Sequence, residues 1–97
     1  MADLAKQPSE VRLFAFNFSG KMDGSATIVS VTSVTKLLVS GGGVDSLTID
    51  DITASGQRVA ALFGGGSTGQ RYKLTCLCVD SDDQVLEFDG HLRVKEL

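Results

Sequence analysis

Strict two-residue alternation over positions 72–79 is the feature that most limits how this chain folds. One side of an extended backbone would carry Tyr72, Leu74, Cys76 and Cys78, and the other Lys73, Thr75, Leu77 and Val79. Because side chains alternate across a strand and not along a helix, this pattern predicts a β-strand. An acidic turn at 80–83 and a second extended run over 85–94 complete a C-terminal β-hairpin.

Turn signals recur along the rest of the chain, separated by short runs rich in β-branched and aromatic residues. These runs predict seven strands, at 11–18, 26–32, 34–39, 47–52, 57–63, 72–79 and 85–94. The spacing predicts an all-β fold, a small immunoglobulin-like β-sandwich of about seven antiparallel strands. Tyr72 is a tyrosine-corner candidate, since it begins the penultimate strand after a glycine turn. An antibody-type domain is excluded, because the chain has no tryptophan and both cysteines lie on one strand.

The N-terminal segment differs in composition from the rest. Residues 1–10 are polar and lack periodicity, and Pro8 discourages regular structure there. We expect a flexible N-terminal arm over 1–10 and a single β-sandwich domain over 11–97. With Asp3 and no apolar core at its start, the chain is expected to lack a secretory signal. No apolar run approaches the roughly 18 residues of a transmembrane helix, so no membrane contact is expected.

Net charge sets a limit on partners. The formal charge is −3, and the nine basic residues are scattered without two being adjacent. A nucleic-acid binder would need a basic stripe, so nucleic acid is not an expected partner. Hydrophobic residues make up 42% of the chain, which is ordinary for a folded globular protein.

Cys76 and Cys78 are the first candidates for chemistry. Two positions apart on a strand, their Cα atoms would lie about 7 Å from each other, at the limit for an unstrained disulfide. Together with His91, the only histidine, they do not complete a tetrahedral metal site. We predict buried, reduced thiols and no metal.

The segment 64–69 matches the pattern G-x-G-x-x-G. A dinucleotide site also requires a helix after the glycines, whereas a strand is predicted here. A phosphate loop would need lysine and a hydroxyl where Gln70 and Arg71 stand. The segment is therefore interpreted as a turn between strands, with no nucleotide cofactor.

Acidic residues give the remaining chemical candidates. The turns at 50–51 and 80–83 lack the glycine and register of a calcium loop, which leaves weak cation binding as an alternative to a solvated turn. Glu87 and Asp89 alternate on the same strand as His91, an arrangement that can serve as general acid and base, but no second lobe forms a cleft. We predict no catalytic, cofactor-binding or metal-binding residue, and no enzymatic activity.

The first strand is apolar on both sides. Phe14, Phe16 and Phe18 share one side, and the other carries Val11, Leu13 and Ala15. One side would meet the core. The other would either be absorbed by the core or contact a partner.

Several segments in fixed order carry a family resemblance: Phe16-Asn-Phe18, Asp23-Gly-Ser-Ala-Thr-Ile28, Ile49 and Ile52, Gly64 to Tyr72-Lys-Leu-Thr75, and Asp89-Gly-His-Leu-Arg-Val94-Lys-Glu96. Over most of residues 11–96 the chain resembles small structural proteins of tailed bacteriophages and prophages. It departs from them at 81–84, where glycine is common, and in lacking a tryptophan in the first strand.

The resemblance implies an immunoglobulin-like or related sandwich with a non-enzymatic virion role, as a capsid decoration, head–tail joining or fibre-adaptor protein. Phage capsid, neck or tail proteins would be its partners, with homo-oligomers left open. The protein would be made in the bacterial host cytoplasm and end in the virion. The resemblance carries over no catalytic residue.

Two other functions stay open on the residues alone. A carbohydrate-binding or adhesion module would use the loops at one end of the sandwich, although the chain has no tryptophan and one tyrosine to stack on sugars. A small enzyme would need a site around His91 or around Cys76 and Cys78.

Overall fold

A computed structural model describes residues 2–96, and within that range the chain forms seven strands and one short 3-10 turn. The elements are β1 (Ala2–Lys6), β2 (Arg12–Asn17), the 3-10 turn (Ser19–Lys21), β3 (Ile28–Ser40), β4 (Thr48–Ser55), β5 (Arg58–Gly64), β6 (Arg71–Asp80) and β7 (Val85–Val94). They form two sheets, in the orders β1-β7-β6-β3 and β2-β5-β4. The prediction of an all-β fold of about seven strands is confirmed.

The two sheets pack through the inner side chains that the alternation places on one side of each strand. On β6 the even-numbered residues from Tyr72 to Cys78 are fully buried, and on β5 Val59, Ala61 and Phe63 are buried. Phe16 of β2 lies edge-on to Phe88 of β7, with ring centroids 5.8 Å apart, which joins the sheets directly. This is the face-to-face arrangement of a β-sandwich.

The strand order follows a known scheme. If β2 to β7 are lettered B to G, the sheets read B-E-D and G-F-C, with β1 added beside G. Strands with these letters share sheets in the same combinations in immunoglobulin-like sandwiches. The immunoglobulin-like assignment itself stays a prediction.

The second and third predicted strands form a single strand in the structure. The runs at 26–32 and 34–39 belong to the single 13-residue strand β3, which pairs along its length with β6. Register shifts after Ile28, Val31 and Leu38 let β3 place 13 residues against the 10 of β6. Because a β-bulge absorbs an extra residue without ending a strand, the Thr32-Ser33 step that suggested a break does not produce one.

The prediction that residues 1–10 lack regular structure is corrected for residues 2–6. These form β1, which runs parallel to β7 from Ala2 opposite Gly90 to Lys6 opposite Val94. This pair departs from the antiparallel pairing of the other strands. Met1, also within the predicted arm, lies outside the described residues.

A buried lysine fixes the end of β1. Lys6 is fully buried, and its Nζ donates to the carbonyl oxygens of Gln7, at 2.7 Å, and of Gly65. Its own carbonyl accepts from the backbone N–H of Lys95 at 3.0 Å. Burial lowers the pKa of Lys6, and the negative charge of Glu10 partly offsets that effect. The polar composition of this segment suggested an arm, but its Lys6 side chain points inward and its charged group is hydrogen-bonded.

Replacing Lys6 by alanine should loosen β1. The carbonyl groups of Gln7 and Gly65, both half-buried residues, would lose a charged donor, and hydrogen bonds to charged groups contribute about 1.5–3 kcal/mol each. We expect Lys6→Ala to lower the free energy of unfolding in urea and to speed amide exchange in β1. The matched control is Lys21→Ala, since Lys21 is exposed. Equal effects of the two substitutions would contradict the anchoring role of Lys6.

Candidate interaction surfaces

The residues considered for chemistry are not brought together. Cys76 and Cys78 face the interior and are fully buried, whereas His91 lies on the opposite side of the same sheet, across from Lys73. Within residues 2–96 no three His, Cys, Asp or Glu side chains form a group that could hold a metal ion. The thiols and the imidazole therefore do not share a site.

Glu87 and Asp89 lie on the same outer side of β7, and Asp89 is already engaged. Its carboxylate accepts a hydrogen bond from Thr75 Oγ1 at 3.0 Å and lies 3.9 Å from Lys73 Nζ. Thr75 is its directly opposite neighbour on β6. This cross-strand contact links β6 to β7 and places Asp89 in a structural role.

The acidic turn at 80–83 builds the hairpin. Asp80 is fully buried, and its Oδ1 accepts from the backbone N–H groups of Asp82, at 3.0 Å, and Gln84, at 2.9 Å. Asp83 takes the left-handed conformation with φ of 60°, which glycine adopts most readily. The second acidic pair, 50–51, sits in a bulge of β4 where Asp51 also has positive φ, 51°.

The glycine segment 64–69 connects β5 to β6, as predicted for a turn, and a strand follows it. Gly65 has φ of 70°, and a Cβ atom there would collide with the carbonyl oxygen of Ser46. Glycine is needed at that position because two backbones approach closely.

Gln70 ties this turn to the loop between β3 and β4. Its Oε1 accepts from Ser67 N and from the Tyr72 hydroxyl, each at 2.8 Å. Its Nε2 donates to the carbonyls of Gly42 and Val44, each at 3.0 Å. Tyr72 therefore donates its hydroxyl to the Gln70 side chain, and the tyrosine-corner interpretation stays a prediction.

The loop held by Gln70 leads into a groove between the edge strands β3 and β4. The groove has a volume of about 570 Å³, and its apolar lining includes Val34, Leu47 and Ile49. Lys36 crosses it, donating to Asp45 Oδ1 at 2.9 Å and to the Leu47 carbonyl. The bond from Lys36 lowers the pKa of Asp45. The β3–β4 groove thus exposes apolar side chains from both sheets at one side of the sandwich.

The groove lies beside a long unpaired strand edge. β3 is the terminal strand of its sheet and pairs on one side only, with β6. Its 13 residues carry one charge, Lys36, which is turned toward the groove, and they contain no proline. Charged side chains, prolines and β-bulges are the usual means of blocking strand addition at an edge. Register shifts interrupt β3 after Ile28, Val31 and Leu38, so residues 33–38 are the longest stretch of this edge without a bulge.

A second apolar surface covers the outer side of the three-stranded sheet. Leu13 of β2 lies opposite Leu62 of β5, and Ala15 lies opposite Ala60. Directly opposite residues share a face of the sheet. Leu13 is 64% exposed, and Leu62 is half-buried. We call this surface, with its neighbours on β4, the outer apolar face.

Comparison with known families identifies the kind of protein that carries these surfaces. Residues 6–93 match the family described as podophage GP4 fiber-tail adaptor protein gp77. The chain belongs to this family. The fiber-tail adaptor family thus confirms the predicted resemblance to a small phage structural protein, and the protein has a phage structural, adaptor-type role.

Two further findings concern curated relatives and membrane-spanning helices. No curated protein matches the chain. Over residues 2–96, no helix combines the length and the hydropathy required to cross a bilayer.

Removing all the hydrogen bonds of the Gln70 side chain should lower the free energy of unfolding more than removing the Tyr72 hydroxyl alone. Tyr72→Phe removes one bond and leaves Gln70 Oε1 with Ser67, whereas Gln70→Ala leaves two carbonyls and an N–H without their partner. We expect a loss of about 1 kcal/mol for Tyr72→Phe and about 2–3 kcal/mol for Gln70→Ala in urea denaturation. Equal losses would show that Gln70 does not organise the two loops.

The pH dependence of stability should report the buried thiol of Cys76. Burial raises the pKa of Cys76 from its ordinary value of 9.0 to about 12, with the nearby Cys78 adding to the shift. Above pH 9 the unfolded chain releases this proton before the folded one does, so ionisation favours unfolding. We expect the free energy of unfolding to fall between about pH 9 and 12, and to fall less steeply in Cys76→Ala. Identical slopes for the two proteins would contradict the assignment.

Proposed function

We propose that this protein is a non-enzymatic virion component that connects a tail fibre to the tail of a podophage-type particle through protein–protein contacts. The observation that carries the proposal is the match of residues 6–93 to the fiber-tail adaptor family. The family description favours this role over capsid decoration and head–tail joining, the other two roles that the resemblance implies. Synthesis in the host cytoplasm, followed by incorporation into the virion, belongs to the same proposal.

The edge of β3 is the docking site proposed for the partner. An extended segment of a tail or fibre protein would pair with residues 33–38, the part of β3 between its bulges. Backbone hydrogen bonds would supply affinity. Alternate side chains of the added strand would point into the β3–β4 groove, against Val34 and Ile49.

The fold leaves little support for the carbohydrate-binding alternative. Tyr72 is fully buried, as are the rings of Phe16, Phe18 and Phe63, so none of them is presented for stacking on a sugar. An immunoglobulin-like sandwich, whose strand order the two sheets share, would suit an adaptor because both its faces and its edges can contact partners.

Deletion of the gene from the phage or prophage genome that encodes it tests the adaptor role. We expect particles with heads and tails that lack fibres, visible by electron microscopy and by loss of fibre peptides in mass spectrometry. Supplying the wild-type protein in trans should restore fibres. Normal fibre content in the deletion particles would overturn the adaptor role.

A lysine on the β3 edge tests the docking site. We expect Leu37→Lys, which puts a charge within residues 33–38, to fail to restore fibres, because the charge would have to be desolvated against the added strand. The matched control is Val85→Lys on the same side of the same sheet, since both side chains are exposed, by 60% and 70%. Full restoration by Leu37→Lys would place the docking site elsewhere while leaving the adaptor role intact.

A further inference from the structure

The fold gathers basic residues that lie apart in the sequence onto the outer side of the four-stranded sheet. Arg71 begins β6 and lies directly opposite Arg93 of β7, and both residues are exposed. Together with Lys95 they border one depression, which has a volume of about 260 Å³. We call Arg71, Arg93 and Lys95 the basic patch.

The two arginines of the patch carry like charges on neighbouring strands. Like charges directly opposite each other destabilise a sheet, because the Cβ atoms of such a pair lie only about 4.5–5.5 Å apart. None of the three patch residues forms an ion pair with another described residue. A position where a sequence breaks a local rule of this kind is where function is expected. An anion between the guanidinium groups would replace the repulsion with two attractions.

We propose that the basic patch binds an acidic segment of a partner protein. One carboxylate of that segment would lie between Arg71 and Arg93, since guanidinium groups bind carboxylates through paired hydrogen bonds. A second carboxylate would contact Lys95. Another depression of about 260 Å³, bordered by Arg71, Ser40 and His91, leaves room for a neighbouring side chain of the segment.

The surroundings of the patch favour protein carboxylates over nucleic acid. Farther along the outer side of β7, alternate positions carry Asp89 and Glu87. Same-side positions on a strand lie about 7 Å apart, so these carboxylates begin about 13 Å from Arg93. A phosphate backbone that ran along the strands would meet them, whereas a short acidic segment fits within the patch. The formal charge of −3 also opposes a long polyanion more than a short segment.

The basic patch is a different surface from the β3 edge. Its side chains project from β6 and β7, which are the two inner strands of their sheet. The docking site proposed above uses instead the unpaired backbone of β3. The binding of an acidic segment therefore does not depend on the adaptor role, and its failure would leave that role untouched.

Titration with capped hexaglutamate at low salt, followed by NMR, tests the proposal on the unmodified chain. We expect a dissociation constant of about 1 mM or tighter, weakened by added salt, with amide shifts that change at Arg71, Arg93 and Lys95. No binding up to about 10 mM peptide would overturn the proposal. Equal or tighter binding of inorganic phosphate or of a deoxythymidine hexamer at these residues would also overturn it, because the site would then prefer phosphate to carboxylate.

Arg93→Gln distinguishes the patch from attraction by charge in general. We expect it to weaken hexaglutamate binding about fivefold or more, because one guanidinium group is left to hold the carboxylate. The matched control is Arg58→Gln on the other sheet, since Arg58 is also exposed and forms no ion pair with a described residue. Equal weakening by the two substitutions would overturn the proposal.

The unliganded protein provides a second readout. Arg93→Gln should raise the midpoint of urea unfolding at low salt, because it removes the like charge opposite Arg71, whereas Arg58→Gln should not. An unchanged or lower midpoint would overturn the proposal, since the arginines would then not repel each other. Dilution should leave the amide shifts unchanged. Shift changes on dilution at Arg71 and in the acidic turn at 80–83 would place a second copy of the chain on the patch and overturn the choice of another protein.

Discussion

The contact between the inner faces of the two sheets is the interaction on which the rest of the structure depends. Phe16 packs against Phe88 of the other sheet, at 5.8 Å, and against Phe63 of its own sheet, at 6.4 Å. Edge-on aromatic pairs of this kind add about 0.5–1.5 kcal/mol to the burial of their surface. Since side chains alternate strictly, burying these rings forces the residues between them outward. The packing of the core therefore also determines what the protein presents to partners.

Two surfaces follow from that arrangement, and they have different physical character. The outer apolar face is the side of β2 and β5 that points away from the core, and it carries Leu13 and Leu62. The β3 edge leaves one side of its backbone unpaired, and beside it lies the β3–β4 groove, lined by Val34 and Ile49. A face offers side-chain packing, whereas an edge offers hydrogen bonds along a strand.

The loops at one end of the sandwich depend on a single side chain. Gln70 satisfies its whole amide with bonds to two loops and to Tyr72. Its fourfold bonding fixes the loop before β4 and, through Leu47 and Asp45, one wall of the groove. A fully satisfied buried amide of this kind holds loop geometry that glycine-rich sequence alone would leave free.

Much of the fold could be predicted from the sequence, and the failures have physical causes. The two-residue alternation over 72–79 identified β6, and the extended run after the acidic turn identified β7. Both signals are local, because a period of two residues is a property of each strand by itself. The join of 26–32 to 34–39 was missed, since a bulge leaves no distinctive local signal when its residues are β-branched. β1 was missed because Lys6 reads as a solvated charge, and only the carbonyls of Gln7 and Gly65 make its burial favourable.

By itself, the sequence determined that this chain forms short strands and that Tyr72, Leu74, Cys76 and Cys78 share one side of a single strand. Those properties depend on residue types and on spacing within one strand. Only the tertiary structure decided which strands are edges, which apolar sides remain exposed and what Gln70 bonds to. Each of these depends on contacts between residues distant in the chain, where long-range packing, and not local preference, selects the partner.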